Sequence, residues 1–219
     1  MSLPSIMIAT SKDRYGLSVD RKFRDRPNVR VTFVEAPRAA RVFRLLRKGS
    51  ISARFLWYAS LCRARDLRPF SRKRVAKSAQ ELNTELVTAS TDILIMFRMG
   101  IILPEVVLRS CMVINVHVAK LPLYSGLGSI RAALDAEDYA QCATAHIATS
   151  EIDAGLILFE VPYLLDPKRD YCSNEARAYQ AGIDTIEQLV DAFSVSHDAF
   201  RYTKDEIRLM FKDRENRNG

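Results

Sequence analysis

The stretch TDILIMFRMGIILPEVVLRSCMVINVHVAKLPLYSG, residues 91–126, decides the fold. It opens with the aliphatic run Asp92–Phe97, passes a short helical turn begun by Pro104, and enters a second run, Cys111–Val118. As a strand the second run puts Cys111, Val113, Asn115 and His117 on one face, with Met112, Ile114, Val116 and Val118 on the other. Asparagine is disfavoured in strands, and an amide buried without partners destabilises the fold. Asn115 and His117 nevertheless occupy successive positions of one face at the strand's C-terminal end. In open α/β sheets that end borders the ligand crevice. Leu121-Pro122 and Tyr124-Ser125-Gly126 then turn the chain around it. Taken alone, Asn-x-His is also readable as a hydrogen-bonded structural pair.

Upstream, SIMIA (5–9) and VRVTFV (29–34) read as strands, followed by helices predicted over 37–48, 50–65 and 78–88. Ser50 is placed to cap the second helix, and Ser78 with Glu81 forms a capping-box pattern for the third. Downstream come a helix near 128–137, strands near 143–149 and 156–162, and a helix over 173–195. In that last helix Ser173 is placed to cap, while Ala178, Ile183, Ile186, Leu189 and Val190 share one face. Strands alternating with helices predict an α/β fold, an open, mostly parallel Rossmann-like sheet with helices on both faces. One domain is expected over 1–200, with 201–219 as an extension whose polar tail after Phe211 is too poor in apolar residues to fold.

The 219 residues are 48% hydrophobic and 27% charged, which excludes a disordered or fibrous chain. No apolar run approaches the roughly 20 residues of a bilayer-spanning helix, and MSLPSIMIAT reads as a first strand, not a signal peptide. Cys62, Cys111, Cys142 and Cys172 show no zinc-type spacing, so no metal is expected, and reduced thiols in a cytoplasmic protein are. Residues 12–77 hold 20 Lys/Arg against 5 Asp/Glu, although the whole chain is only +7. That asymmetry suits an anionic partner; it also suits solvated helix faces whose Arg stems cover apolar surface. The basic, aromatic segment 50–68 is apolar almost all round its helix, which favours packing over membrane binding.

The second informative stretch is TAHIATSEIDAGLIL, residues 144–158. His146 on an apolar strand is readable as a core histidine, and Asp153 as a turn residue satisfying backbone N–H groups. Together with Asn115-x-His117, Leu121-Pro122 and Gly126, however, His146 and Asp153-Ala154-Gly155 resemble the folate-dependent formyltransferase family. Asp92-Ile-Leu-Ile and Gly100-Ile-Ile-Leu-Pro104 resemble the same family's upstream segment, so the likeness runs from about 78 to 165.

The resemblance implies transfer of a formyl group from 10-formyltetrahydrofolate, the co-substrate, to a primary amine through a tetrahedral intermediate. By analogy Asn115 and His117 donate to the oxyanion. Asp153 orients His117, favours its charged form and accepts the amine's proton. Folate contacts carried over are Met99, Ile101, Ile102 and Leu103, with the loop Ala148, Thr149, Ser150, Glu151 and Ile152.

Two departures stand out. Ala119-Lys120 replaces the family's Ser-Leu, bringing a cation to the rim of the site. The loop Thr10-Ser11-Lys12-Asp13-Arg14-Tyr15-Gly16 has one glycine and suits phosphate poorly. Only 66 residues follow Asp153, too few for the barrel of methionyl-tRNA formyltransferases, and the hydrolases' N-terminal regulatory domain is not expected here. The expected acceptor is therefore a small anionic amine, foremost a nucleotide-linked sugar. Methionyl-tRNA or water as acceptor, and a non-catalytic binding module, are the alternatives. Nucleic acid is the less favoured partner, no transmembrane segment is expected, and a homodimer is compatible with this reading. His197 reads as a surface residue.

Overall fold

The computed structural model describes residues 3–34, 75–99 and 103–195, with Trp57 and Ser60. The helices predicted over 37–48 and 50–65, most of the basic segment, Cys62, Ile101, Ile102, His197 and the tail lie outside them.

Twelve elements are described: β1 Ile6–Ser11, α1 Arg14–Phe23, β2 Val29–Val34, β3 Val75–Ala76, α2 Ala79–Thr88, β4 Ile93–Phe97, α3 Glu105–Ser110, β5 Met112–His117, α4 Ser129–Asp135, β6 Ala140–Ile147, β7 Ile157–Leu164 and α5 Tyr171–Val195. The strands form one sheet in the order β3-β2-β1-β4-β5-β6-β7. The first five are mutually parallel, whereas β5–β6 and β6–β7 are antiparallel. The fold is α/β with a mostly parallel sheet, as expected.

Alternating side chains feed two cores. Ile6, Ile8, Ile93, Ile95, Ile114 and Val116 pack under α1, α4 and α5. Met7, Ala9, Leu94 and Val113 face the other way, under α2 and α3. Helices thus cover both faces, as parallel strands require.

Three local readings need correction. Residues 14–23 form a helix that the sequence reading passed over, with Tyr15, Val19 and Phe23 buried along one side. The capping box is shifted: Ser78 Oγ accepts from Glu81 N, but Glu81 Oε2 returns to Lys77 N, not to Ser78 N. The long α5 begins at Tyr171 and is capped by Asp170, whose Oδ1 accepts from Ser173 N at 2.8 Å. Ser173 lies inside the first turn, where its hydroxyl has no capping position.

The expectation of reduced thiols fails at Cys172, which is disulfide-bonded. Spacing along the chain does not determine which cysteines meet in space. Cys111 and Cys142 are free. Burial raises both thiols, Cys142 to about 12, and Cys142 Sγ donates to Glu160 Oε1. A thiol held protonated is a poor nucleophile.

Candidate functional site

β5 ends in Asn115 and His117, and the antiparallel return of β6 sets His146 opposite Asn115 and Thr144 opposite His117. His146 Nδ1 lies 3.1 Å from the carbonyl of Ile147, an acceptor, which assigns the ring proton to Nδ1. Nε2 then accepts from the Asn115 amide nitrogen at 3.0 Å. A register shift at Ala145/His146 accompanies this arrangement.

The connection from β6 to β7 brings in Asp153, in the left-handed region at φ +53°. Asp is among the residues that tolerate that conformation. Gly155 makes the turn tight, because a Cβ there would meet the Ile147 carbonyl oxygen at 1.6 Å. Asp153 Oδ1 accepts from Asn115 Nδ2 at 3.0 Å and lies 3.5 Å from His146 Nε2. Its Oδ2 accepts from Gly126 N at 2.7 Å and lies 3.3 Å from His117 Nδ1. Asn115 and His117 thus meet Asp153, which lies 38 residues beyond Asn115, and His146 completes the group.

Burial pulls the Asp153 carboxyl upward, but the hydrogen bonds it accepts, that from the Gly126 N–H among them, outweigh it and hold the carboxyl down at about 2. It is a carboxylate at neutral pH. For His117 burial wins: it pulls the imidazole below its ordinary value against the upward pull of Asp153 and the Tyr124 carbonyl. Asp153 thus favours the charged form of His117, and burial outweighs it in the resting site. A neutral His117 satisfies only one side, since Nε2 lies 2.7 Å from the Tyr124 carbonyl and Nδ1 faces the Asp153 carboxylate. Only a doubly protonated ring would donate to both. The site is built to accept one proton.

The loop after β5 is fixed over the site. Tyr124 N donates to the Lys120 carbonyl, and Lys120 Nζ and Tyr124 Oη both reach Asp138 Oδ2 at 3.2 Å. The Lys120 charge is thus taken up by Asp138 rather than left at the rim of the site. The Asn115 amide nitrogen is likewise committed to two acceptors, so it is not a free donor before a ligand arrives.

Of the carried-over folate contacts, Leu103, Met99 and Ala148 meet in the core beneath α2 and α3, and Ala148 N donates to Val113 O. Thr149, Ser150, Glu151 and Ile152 are exposed, with Thr149 Oγ1 bonded to the Glu151 carbonyl. Ile152 is 64% exposed beside the half-buried Asp153. His146 was missing from the sequence-derived site; the signal available was a second imidazole seven residues before Asp153. Among the described residues no group of three His, Cys, Asp or Glu side chains is arranged to hold a metal, and no helix is long and apolar enough to cross a membrane.

A mixed α/β sheet thus carries an amide, an imidazole and a carboxylate at one strand end. The formyl transferase family model matches residues 28–188, and the chain belongs to that family. Over 146 residues it is 26% identical to a methionyl-tRNA formyltransferase of Ectopseudomonas mendocina, a match covering 60% of this chain and 46% of that protein. The chain therefore matches about half the length of this curated relative. Among solved structures it is similar to a phosphoribosylglycinamide formyltransferase of Anaplasma phagocytophilum, with TM-score 0.62, 17% identity and coverage of 89% of this chain and 87% of that one. A 4-N formyltransferase of Francisella tularensis gives TM-score 0.59 at 14% identity, covering 85% and 68%. These structural likenesses concern the fold.

Proposed function

We propose that the chain transfers a formyl group from 10-formyltetrahydrofolate to a primary amine, on a nucleotide-linked sugar or another small anionic acceptor. The observation that carries this reading is the convergence of Asn115, His117 and Asp153 within 3.0–3.3 Å contacts at the end of β5. The amine nitrogen attacks the formyl carbon and the carbonyl oxygen becomes an oxyanion. Asn115 turns one N–H from its resting partners to that oxygen. The amine's proton passes to His117, where the resting site lacks one, and the imidazolium formed is stabilised by Asp153. Collapse breaks the bond from carbon to N10, and the proton goes to N10. Removing one donor of this kind lowers the rate by about 10²–10³-fold. Met99, Leu103 and Ala148, with the exposed 149–152 loop, are the groups to receive the pterin.

The test is tetrahydrofolate release from 10-formyltetrahydrofolate, measured with nucleotide-linked amino sugars, with methionyl-tRNA and with no acceptor. Stimulation by an amino sugar, lost in Asn115→Ala, supports the reading. Release that no amine stimulates overturns it in favour of hydrolysis. A second reading takes methionyl-tRNA as acceptor, favoured by the 26% identical relative and by the 20 Lys/Arg of residues 12–77. Stimulation by that RNA alone, weakening steeply with salt, would support it.

A further inference from the structure

The strand order reverses between β1 and β4, so a crevice opens beyond their C-terminal ends. Phe97 pairs with Thr10 on one side and Val116 on the other, which sets Arg98 level with His117 along the sheet edge. Neighbouring strands lie about 4.8 Å apart, so this crevice is within a small substrate's reach of the site above.

The anion position at the start of α1 is already occupied. Asp13 Oδ1 accepts from Tyr15 N and Gly16 N at 3.0 and 3.1 Å, the free N–H groups at the start of α1. Asp13 Oδ2 accepts from Ser11 Oγ at 2.7 Å and from Arg98 Nε and Nη2 at 3.0 and 2.7 Å. Two helix-start amides, a hydroxyl and a bidentate guanidinium are the set that would bind an oxyanion of a ligand. Here one carboxylate of the chain takes all of them.

The arrangement is more than an ordinary helix cap. Arg98 sits in the left-handed region at φ +56°, a conformation that persists in a bulky residue only where the surroundings impose it. Its guanidinium lies 3.7 Å over the ring of Tyr179 and 4.8 Å over that of Tyr15. Arg14 approaches Glu175 at 3.8 Å, and Tyr15 Oη donates to Glu175. Asp13 and Glu175 thus balance Arg98 and Arg14, leaving no net positive charge among these four for an incoming anion.

We propose that Asp13 is a specificity-determining residue: its carboxylate occupies the anion position at the start of α1, so the acceptor brings an uncharged or cationic group to this crevice and no phosphate. Any phosphate of the acceptor docks elsewhere on the chain. The word acceptor rests on the formyl-transfer reading, whereas the occupancy of the crevice does not.

The test uses inorganic phosphate and the full chain, with binding measured calorimetrically at fixed ionic strength for wild type, Asp13→Ser, Asp13→Asn, Arg98→Gln and Asp13→Ser/Arg98→Gln. Serine keeps a capping oxygen and vacates the space before Arg98. Asparagine keeps both the cap and the volume while removing the charge, so it serves if the serine variant does not fold. The expected result is phosphate affinity at least tenfold above wild type in Asp13→Ser, a smaller gain in Asp13→Asn, and loss of the gain in the double variant. Folded single variants that bind phosphate no tighter than wild type overturn the proposal. So does wild-type phosphate binding that Arg98→Gln abolishes. Neither readout depends on formyl transfer, so failure of that reaction and failure of this proposal are separate results.

Discussion

His146 stands across the β5–β6 register from Asn115, its Nε2 3.0 Å from the amide nitrogen that also donates to Asp153. The imidazole is 2% exposed and reaches the site through these two neighbours, as a positioning residue would. His146→Ala is expected to lower kcat by about 10²-fold, the scale of a 1 Å misplacement, with a smaller change in KM. His146→Gln, which can still offer the amide an acceptor, should recover part of the loss. Steady-state kinetics of the three forms decide it; a fall in melting temperature with kcat unchanged would leave His146 a structural role alone.

Because burial depresses His117, its neutral form should persist below the ordinary histidine value of about 6.5. The acid limb of kcat/KM is therefore expected below that value. Asp153→Asn removes the charge that favours the imidazolium, so the limb of that slower variant should move to still lower pH. A rate profile taken across the acid range checks both directions.

Asp153 also predicts how the fold responds to acid. Its carboxyl titrates near 2 in the folded chain and near about 4 when unfolded. The folded state thus holds its proton less readily, and the stabilisation is complete above the unfolded value and lost as pH falls from there towards 2. His117 acts with the same sign, its neutral folded form favouring unfolding on acidification. Denaturant midpoints for wild type should therefore decline below pH 6, with a shallower decline in Asp153→Asn.

Gly155→Ala forces a methyl against the Ile147 carbonyl, where only 1.6 Å is available. The backbone must move, and Asp153 moves with it. A loss of about 1–3 kcal/mol is expected from denaturant unfolding, together with reduced activity. Gly126→Ala serves as a comparison: it has open space but φ +78°, so its effect should come from backbone strain at the amide that holds Asp153.

The sequence made Asn115 and His117 legible because polar side chains stand out on an apolar strand, and their position at its end carried chemical meaning. It left His146 ambiguous, since an imidazole on a buried strand looks alike whether it is a satisfied core group or a brace. What decides between these is the antiparallel pairing of β5 with β6, and apolar strands of either direction read alike along the chain. Asp153 looked like a turn residue and is one, at φ +53°; that conformation is what aims its carboxylate inward. The charge state of His117 depends on burial by loops distant in sequence, which no spacing encodes. Helix α1 was legible in principle, from Asp13 as its cap and Tyr15, Val19 and Phe23 four residues apart.

The antiparallel turn-back of β6 against β5 has a consequence for how such a chain can diversify. Asn115, His117, Gly126, His146 and Asp153 all come from one unbroken stretch, while the crevice around Asp13 is built from β1, α1 and the end of β4 with α5. On the proposed function, reaction and recognition are therefore written in separable parts of the polypeptide. Exchanging the first βα unit between relatives should redirect which amine is taken while the formyl-handling machinery travels intact.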